Sequence, residues 1–192
     1  AASMSTSLTN TSKLREYVEE LKRLKVDVIR PSINNCFAEF KAETNKIFYG
    51  LGAIKSVGFD AISNIVNERE RNGEFKTFTD FINRMDPKDV NKLQLEGLVK
   101  AGTFDSIDSN RKKLFQAIPK IIQTIKSKHD EKISNQTNLF DNTNNEAFEF
   151  REVKPWSKKE LLSEEFASLG FYISDHPLNE YKEFFTQLEI ES

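Results

Sequence analysis

Residues 50–66 read GLGAIKSVGFDAISNIV, and the placement of glycine and apolar residues here decides the fold. Leu51, Ile54 and Val57 form a short apolar stripe, and a helical register resumes at Ala61, Ile62, Ile65 and Val66. This spacing predicts two short helices joined by a tight turn at Val57-Gly58-Phe59-Asp60. Gly58 is expected to supply a positive φ for the reversal. Asp60 is expected to cap the second helix by accepting from its free amides. No strand leads into Gly50-Leu51-Gly52 as part of a βαβ unit, and the dinucleotide-binding GxGxxG spacing is not met. No Gly-Lys-Ser/Thr follows, so the stretch is not a P-loop either.

A turn of this kind leaves backbone N–H groups pointing outward beside a helix N-terminus, a geometry that suits a phosphate oxygen. The residues therefore support a helix-hairpin-helix that grips a nucleic-acid backbone without reading bases. A turn that only connects two helices fits the same spacing. Candidate phosphate contacts are the turn residues Val57, Gly58, Phe59 and Asp60, with Lys55 beside them.

Charge distribution bears on the partner. The 192 residues carry a net charge of −2, which is not that of a strongly basic nucleic-acid binder. Residues 51–129, however, hold 14 Lys/Arg against 10 Asp/Glu, whereas residues 130–192 hold 6 against 14. The basic excess thus coincides with the hairpin region, and a solvated face would show the same small excess. Hydrophobic residues make up 38% and charged residues 30%, with Phe at 16 copies to fill a core. No run of 18 apolar residues is present, and AASMSTSLTNTS is not a secretory leader. The single cysteine, Cys36, excludes an internal disulfide and is expected to be a small buried apolar residue in a cytoplasmic protein. With two histidines beside it, a Cys/His zinc site is not expected. His129 and His176 lack an evident Ser, Cys or Asp partner and are expected to be structural. Asp86 and Asp89 are expected to be turn residues.

Outward from the hairpin, the pattern predicts a mainly α chain with one small β-hairpin. Residues 12–25 form an amphipathic helix capped by Thr11 or Ser12. VDVIRPSIN gives a short strand ended by Pro31, and residues 37–40 pair with 46–49 across KAETN. The hairpin's second helix runs to Asn72-Gly73, Thr79 caps a short helix carrying Phe81 and Ile82, and Asn91 opens another that Gly102 stops. A longer helix over 110–128 is expected to kink at Pro119. It begins with Arg111, Lys112 and Lys113, which are either phosphate contacts or an exposed basic first turn. From 127 to 155 the composition reads as a loop. Ser157 to Glu160 is a capping box, Gly170 stops the helix that follows, and HPLNEYKEFFTQL opens a last one.

Within the polar loop, Gln136-Thr137-Asn138-Leu139-Phe140 places two apolar side chains beside a polar one. A peptide with Gln136 as hook and Leu139 and Phe140 as plugs suits a partner's surface pocket at roughly micromolar affinity. Packing of both onto the chain's own core fits equally.

Several separated blocks agree in order with one known family. AASM, LKRLKVDVIRPSIN, YGLGAIKSVG, FTDFINRMD, NKLQLEGLVKAGTFD, Asn110-Arg111 and LGFYISDHPLNEY resemble the bacterial replicative DNA polymerase III alpha subunits, after their catalytic palm. The resemblance implies that residues 1–48 end a fingers domain and that 49–129 form a helix-hairpin-helix domain on duplex DNA. It further implies that 130–155 are a flexible loop carrying a clamp-binding peptide, and that 156–192 are a helical segment leading to the next domain. QTNLF occupies the place of the peptide that docks on the sliding clamp (the beta subunit), with Thr137 and Asn138 departing from the usual pattern. Partners implied are duplex DNA without base preference, the clamp and other holoenzyme subunits, with no membrane. The resemblance puts the polymerase chemistry and its two Mg²⁺ ions in the palm. This stretch is expected to hold no catalytic residue, metal ligand or cofactor and to be inactive by itself. A stand-alone DNA repair or recombination scaffold, and a purely structural helical interaction module, are the alternatives.

Overall fold

The computed structural model describes residues 1–135 and 147–181. Seven α-helices and a three-stranded sheet are present among them. After α1 (Ala2–Ser5), α2 (Thr11–Arg23) lays Leu14 and Val18 into the core. Its cap is Asn10, whose side chain accepts from Lys13 N, rather than Thr11 or Ser12. The chain then enters β1 (Asp27–Ile29), which pairs in parallel with β3 (Lys46–Phe48). β2 (Lys41–Glu43) pairs antiparallel with the other edge of β3, giving the order β1-β3-β2. The expected hairpin is present, but its first strand is KAE itself. Residues 37–40 are instead drawn inward, with a lone bridge from Phe37 to Gly50 and with Phe40 packed edge-on against Tyr49.

A single 3-10 turn at Leu51–Ala53 precedes α3 (Phe59–Asn72), which Gly73 ends with φ +83°. α4 (Phe78–Arg84) is capped by Thr77, two residues before the expected Thr79, because Thr77 Oγ1 accepts from Asp80 N at 3.0 Å. Thr79 instead accepts from Phe148 N and so ties down the returning chain. α5 (Lys92–Lys100) begins with a reciprocal capping box between Asn91 and Gln94. α6 (Arg111–Asn135) continues past 128 and carries Pro119 without interruption. The expected loop over 127–155 is therefore helical as far as Asn135. α7 (Lys158–Leu169) has the Ser157–Glu160 capping box and the Gly170 stop that the sequence predicts. A 3-10 turn at Pro177–Tyr181 closes the described chain. The rest of the last expected helix, and Gln136, Leu139 and Phe140, lie outside the described residues.

One continuous core runs from Met4 to Phe171 and takes in residues of every α-helix and of β1 and β3, while β2 stays exposed. Its centre is a group of edge-on rings, Phe75, Phe78, Phe81 and Phe104, with Phe150 packed on Phe78. Cys36 is buried in the core, its thiol donates to Arg30 O at 3.3 Å, and burial pushes the thiol up to about 11. It is a packing residue and stays protonated at neutral pH. Arg69 is also buried, donating from one nitrogen to the carbonyls of Ile33 and Cys36 at 2.7 and 2.6 Å. It thereby anchors α3 to the segment that leads into the sheet. Among the described residues no helix is long and apolar enough to cross a membrane.

Candidate nucleic-acid interface

The hairpin turn is built differently from its expected form. Gly58 is the N-cap of α3 with φ −75° and ψ 135°, an extended conformation open to any residue. The left-handed residue is Ser56, at φ +66°, so the reversal falls two residues earlier than the sequence suggests. Asp60 makes no cap, because it already lies inside the first turn of α3. Ser56 is exposed and unbranched, and Ser56→Gly is expected to raise stability by roughly 0.5–1 kcal/mol. Thermal unfolding of the two proteins checks this, and a lowered midpoint would contradict it.

With no side chain at the cap, the amides of Phe59, Asp60 and Ala61 find no acceptor among the described residues. The first N–H group bonded along the ladder is that of Ile62, which donates to Gly58 O at 3.1 Å. α3 thus presents three donors and the positive end of its dipole to solvent. Gly58, Phe59 and Asp60 are exposed and Val57 is half-buried. Lys55 is exposed and forms no ion pair among the described residues. Its backbone is fixed on two sides. Lys55 N donates to Ser168 O at 3.0 Å, and Lys55 O lies beneath α5.

That second contact depends on Gly97, which the sequence reading did not single out. A methyl built on Gly97 would stand 2.6 Å from Lys55 O and 3.3 Å from Val57 Cγ2. α5 can approach the turn this closely only without a side chain there. A glycine in the interior of a nine-residue helix was the available signal, since helices disfavour it unless packing requires it. One helical turn earlier on the same face, Gln94 reaches Gly58: a methyl there would lie 3.3 Å from Gln94 Nε2.

The basic triplet at the start of α6 is not a row of free cations. Arg111 is 6% exposed and faces inward, which removes it from the candidate phosphate contacts. Its Nε and Nη2 grip Asp105 at 2.8 and 2.6 Å, and Nη1 donates to Lys100 O at 3.0 Å. The same Nη1 lies 3.7 Å from Glu165 Oε2 on α7. Glu165 is fully buried and accepts from the amides of Ile173 and Ser174 through its other oxygen. Arg111 therefore ties the end of α5, the turn after it, α6 and α7 together. Lys113 is held by Asp108 at 2.5 Å. Lys112 is half-buried, close enough to Glu160 to help draw its carboxyl downward. The larger cause of that shift is the Ser157 hydroxyl and amide bonded to the same carboxylate. Of the triplet, Lys112 alone makes no ion pair among the described residues.

Other polar groups of the described residues are engaged in local bonds. Asp86 accepts from Lys88 N, which holds its carboxyl below the usual range, and Asp89 accepts from Asn64. Both aspartates line a cleft of about 400 Å³ along the later turns of α3, where Glu68 is bonded to Arg84. His176 accepts from Leu178 N and packs edge-on against Tyr172. Among the described residues no cluster of His, Cys, Asp or Glu could hold a metal ion.

A family profile described as a helix-hairpin-helix motif matches residues 25–114. The match covers the sheet, the 51–58 turn, α3 to α5 and the Arg111 clamp at the head of α6. The chain is 39% identical over 187 residues to the DNA polymerase III subunit alpha of Borreliella burgdorferi, covering 95% of this chain and 16% of that protein. It is 35% identical over 181 residues to the subunit of the same name from Caulobacter vibrioides, and 34% over 199 residues to that from Campylobacter jejuni. The chain belongs to the DNA polymerase III alpha-subunit family. It spans about one sixth of the length of these relatives. As a member of the alpha-subunit family it contributes a helix-hairpin-helix, and the alignments run through nearly all of its residues, the Phe-rich core included.

Proposed function

We propose that this stretch of a DNA polymerase III alpha subunit holds duplex DNA by its backbone behind the site of synthesis. The observation that carries the reading is the start of α3. Three unmet amides, a helix dipole and an unpaired Lys55 stand on a turn braced by α5 and α7. Such donors meet phosphate oxygens whatever the base sequence. The contacts proposed are Lys55, Val57, Gly58, Phe59 and Asp60, the last two through their amides, with Lys112 as an outlying cation. Lys113 contributes less, because Asp108 neutralises it.

Lys55→Ala is expected to weaken duplex binding about equally on unrelated sequences and to reduce the salt slope by about one. An unchanged slope would remove Lys55 from the interface. Asp60 is opposed to this role in charge, since its exposed carboxylate lies in the turn that would receive the phosphate. Asp60→Asn is accordingly expected to strengthen binding by about two- to fivefold at low salt. Weaker binding would mean that the carboxylate itself accepts from a partner.

We further propose that Gln136, Leu139 and Phe140 dock on the sliding clamp, and that residues 1–48 serve the fingers. Two weak attachments on one chain, to duplex and to clamp, would outlast either alone. What supports the clamp reading is the sequence QTNLF at the position the family resemblance gives it. Calorimetry against the clamp tests it: micromolar binding lost in Gln136→Ala/Phe140→Ala is expected, and equal binding by both proteins would overturn it.

A further inference from the structure

Gln94 is 8% exposed and sits in the first turn of α5. Its two polar ends have different surroundings. The oxygen accepts from Asn91 N at 3.0 Å, and only the oxygen can meet that N–H. The amino end is thereby turned toward the start of α3, where it stands beside Gly58. No acceptor among the described residues takes a hydrogen from Gln94 Nε2. The amino group keeps contact with solvent, so an incoming acceptor can reach it. The capping box uses only the oxygen, and glutamate would close it as well. The amino group is therefore surplus to the helix cap, and it stands beside Gly58, the residue that caps α3.

We infer that Gln94 Nε2 is a phosphodiester contact, acting with the amides of Phe59 and Asp60 as a clamp drawn from two helices onto one backbone phosphate. The inference rests on the phosphate reading of the α3 start and adds to it a side chain from α5. Gln94 is too deeply set to reach a base edge, so it adds grip and orientation without sequence preference. Gly58 belongs to the same arrangement. Its φ would admit any residue, but a methyl there would crowd the Nε2 donor at 3.3 Å.

The test is duplex binding by the 192-residue chain and by four variants. Gln94→Glu keeps the acceptor for Asn91 N and replaces the donor with an anionic oxygen. Leu93→Glu adds the same charge one residue away on an exposed side chain. Lys55→Ala reports on the phosphate reading itself, and Gly58→Ala crowds the donor without adding charge. Gln94→Glu is expected to bind at least about tenfold more weakly than Leu93→Glu at equal thermal stability. Gly58→Ala is expected to lose several-fold. In the parent chain, the Gln94 side-chain amide resonances are expected to shift on adding duplex. If Lys55→Ala weakens binding while Gln94→Glu matches Leu93→Glu and those resonances stay in place, this inference is overturned and the phosphate reading stands. If the parent chain binds no duplex at all, both fail together.

Discussion

Arg111→Ala is expected to lower the stability of the chain by about 3–5 kcal/mol, the usual cost of removing one partner from a buried ionic group. That corresponds to a fall in melting temperature on the order of 10 °C for a domain of this size. Asp105 would lose both of its bonds, Lys100 O would lose its donor, and the fully buried Glu165 would lose the cation facing its Oε2. Glu165 also holds the 171–174 segment through two amides, so the damage would spread to the seat of Ser168 against Lys55. Arg111→Lys separates this role from a phosphate contact. Lysine keeps the charge but cannot match the bidentate grip on Asp105. It is expected to cost roughly 1–2 kcal/mol, whereas at a solvent-facing phosphate contact it would stay within about 0.5 kcal/mol of the parent. Thermal or denaturant unfolding measures both. A melting temperature unchanged in Arg111→Lys would contradict the inward clamp.

Gly97→Val carries the second large effect, about 3 kcal/mol of destabilisation from overpacking. The atom in the way is a backbone oxygen, which cannot swing aside, and Val57 and Ile54 close the space around it. Gly97→Ala is the more informative change. Helix propensity alone would make alanine better by about 1 kcal/mol. The contact with Lys55 O is expected to outweigh that gain and leave a net loss of about 1 kcal/mol. Both variants are also expected to bind duplex more weakly, because pushing α5 outward shifts the turn that carries Lys55 and the α3 amides. A Gly97→Ala protein that melts higher and binds as well as the parent would show that α5 does not brace the turn.

The contrast between Gly97 and Gly58 shows what was legible in the sequence. The span of α3, its stop at Gly73, the Asn91 start of α5 and the Ser157 capping box all follow from local patterns of caps and periodicity, and all are present. The geometry of the hairpin turn is not local in that sense. Its left-handed residue is a serine, which no propensity nominates, and the glycine at its centre is extended. Arg111 was read as surface because a basic first turn looks the same whether it meets water or a buried carboxylate. The deciding partners, Asp105 and Glu165, stand 6 and 54 residues away. α6 outruns its expected end because its last turns are polar, and a polar helix leaves no periodic trace. Asn91 was read as the start of α5, but its capping box with Gln94 was not. That the amino end of Gln94 would stand beside Gly58 leaves no local trace, because the approach of α5 to the turn is set by Gly97.

The central claim is that the start of α3 holds a DNA backbone. The most direct measurement is the affinity of the 192-residue chain for two short duplexes of unrelated sequence, each titrated over a range of salt. Equal affinities on both, falling along a common log–log salt slope that Lys55→Ala reduces by about one, are the predicted result. Affinity that differs between the sequences, ignores salt, or is absent at low salt would contradict the account.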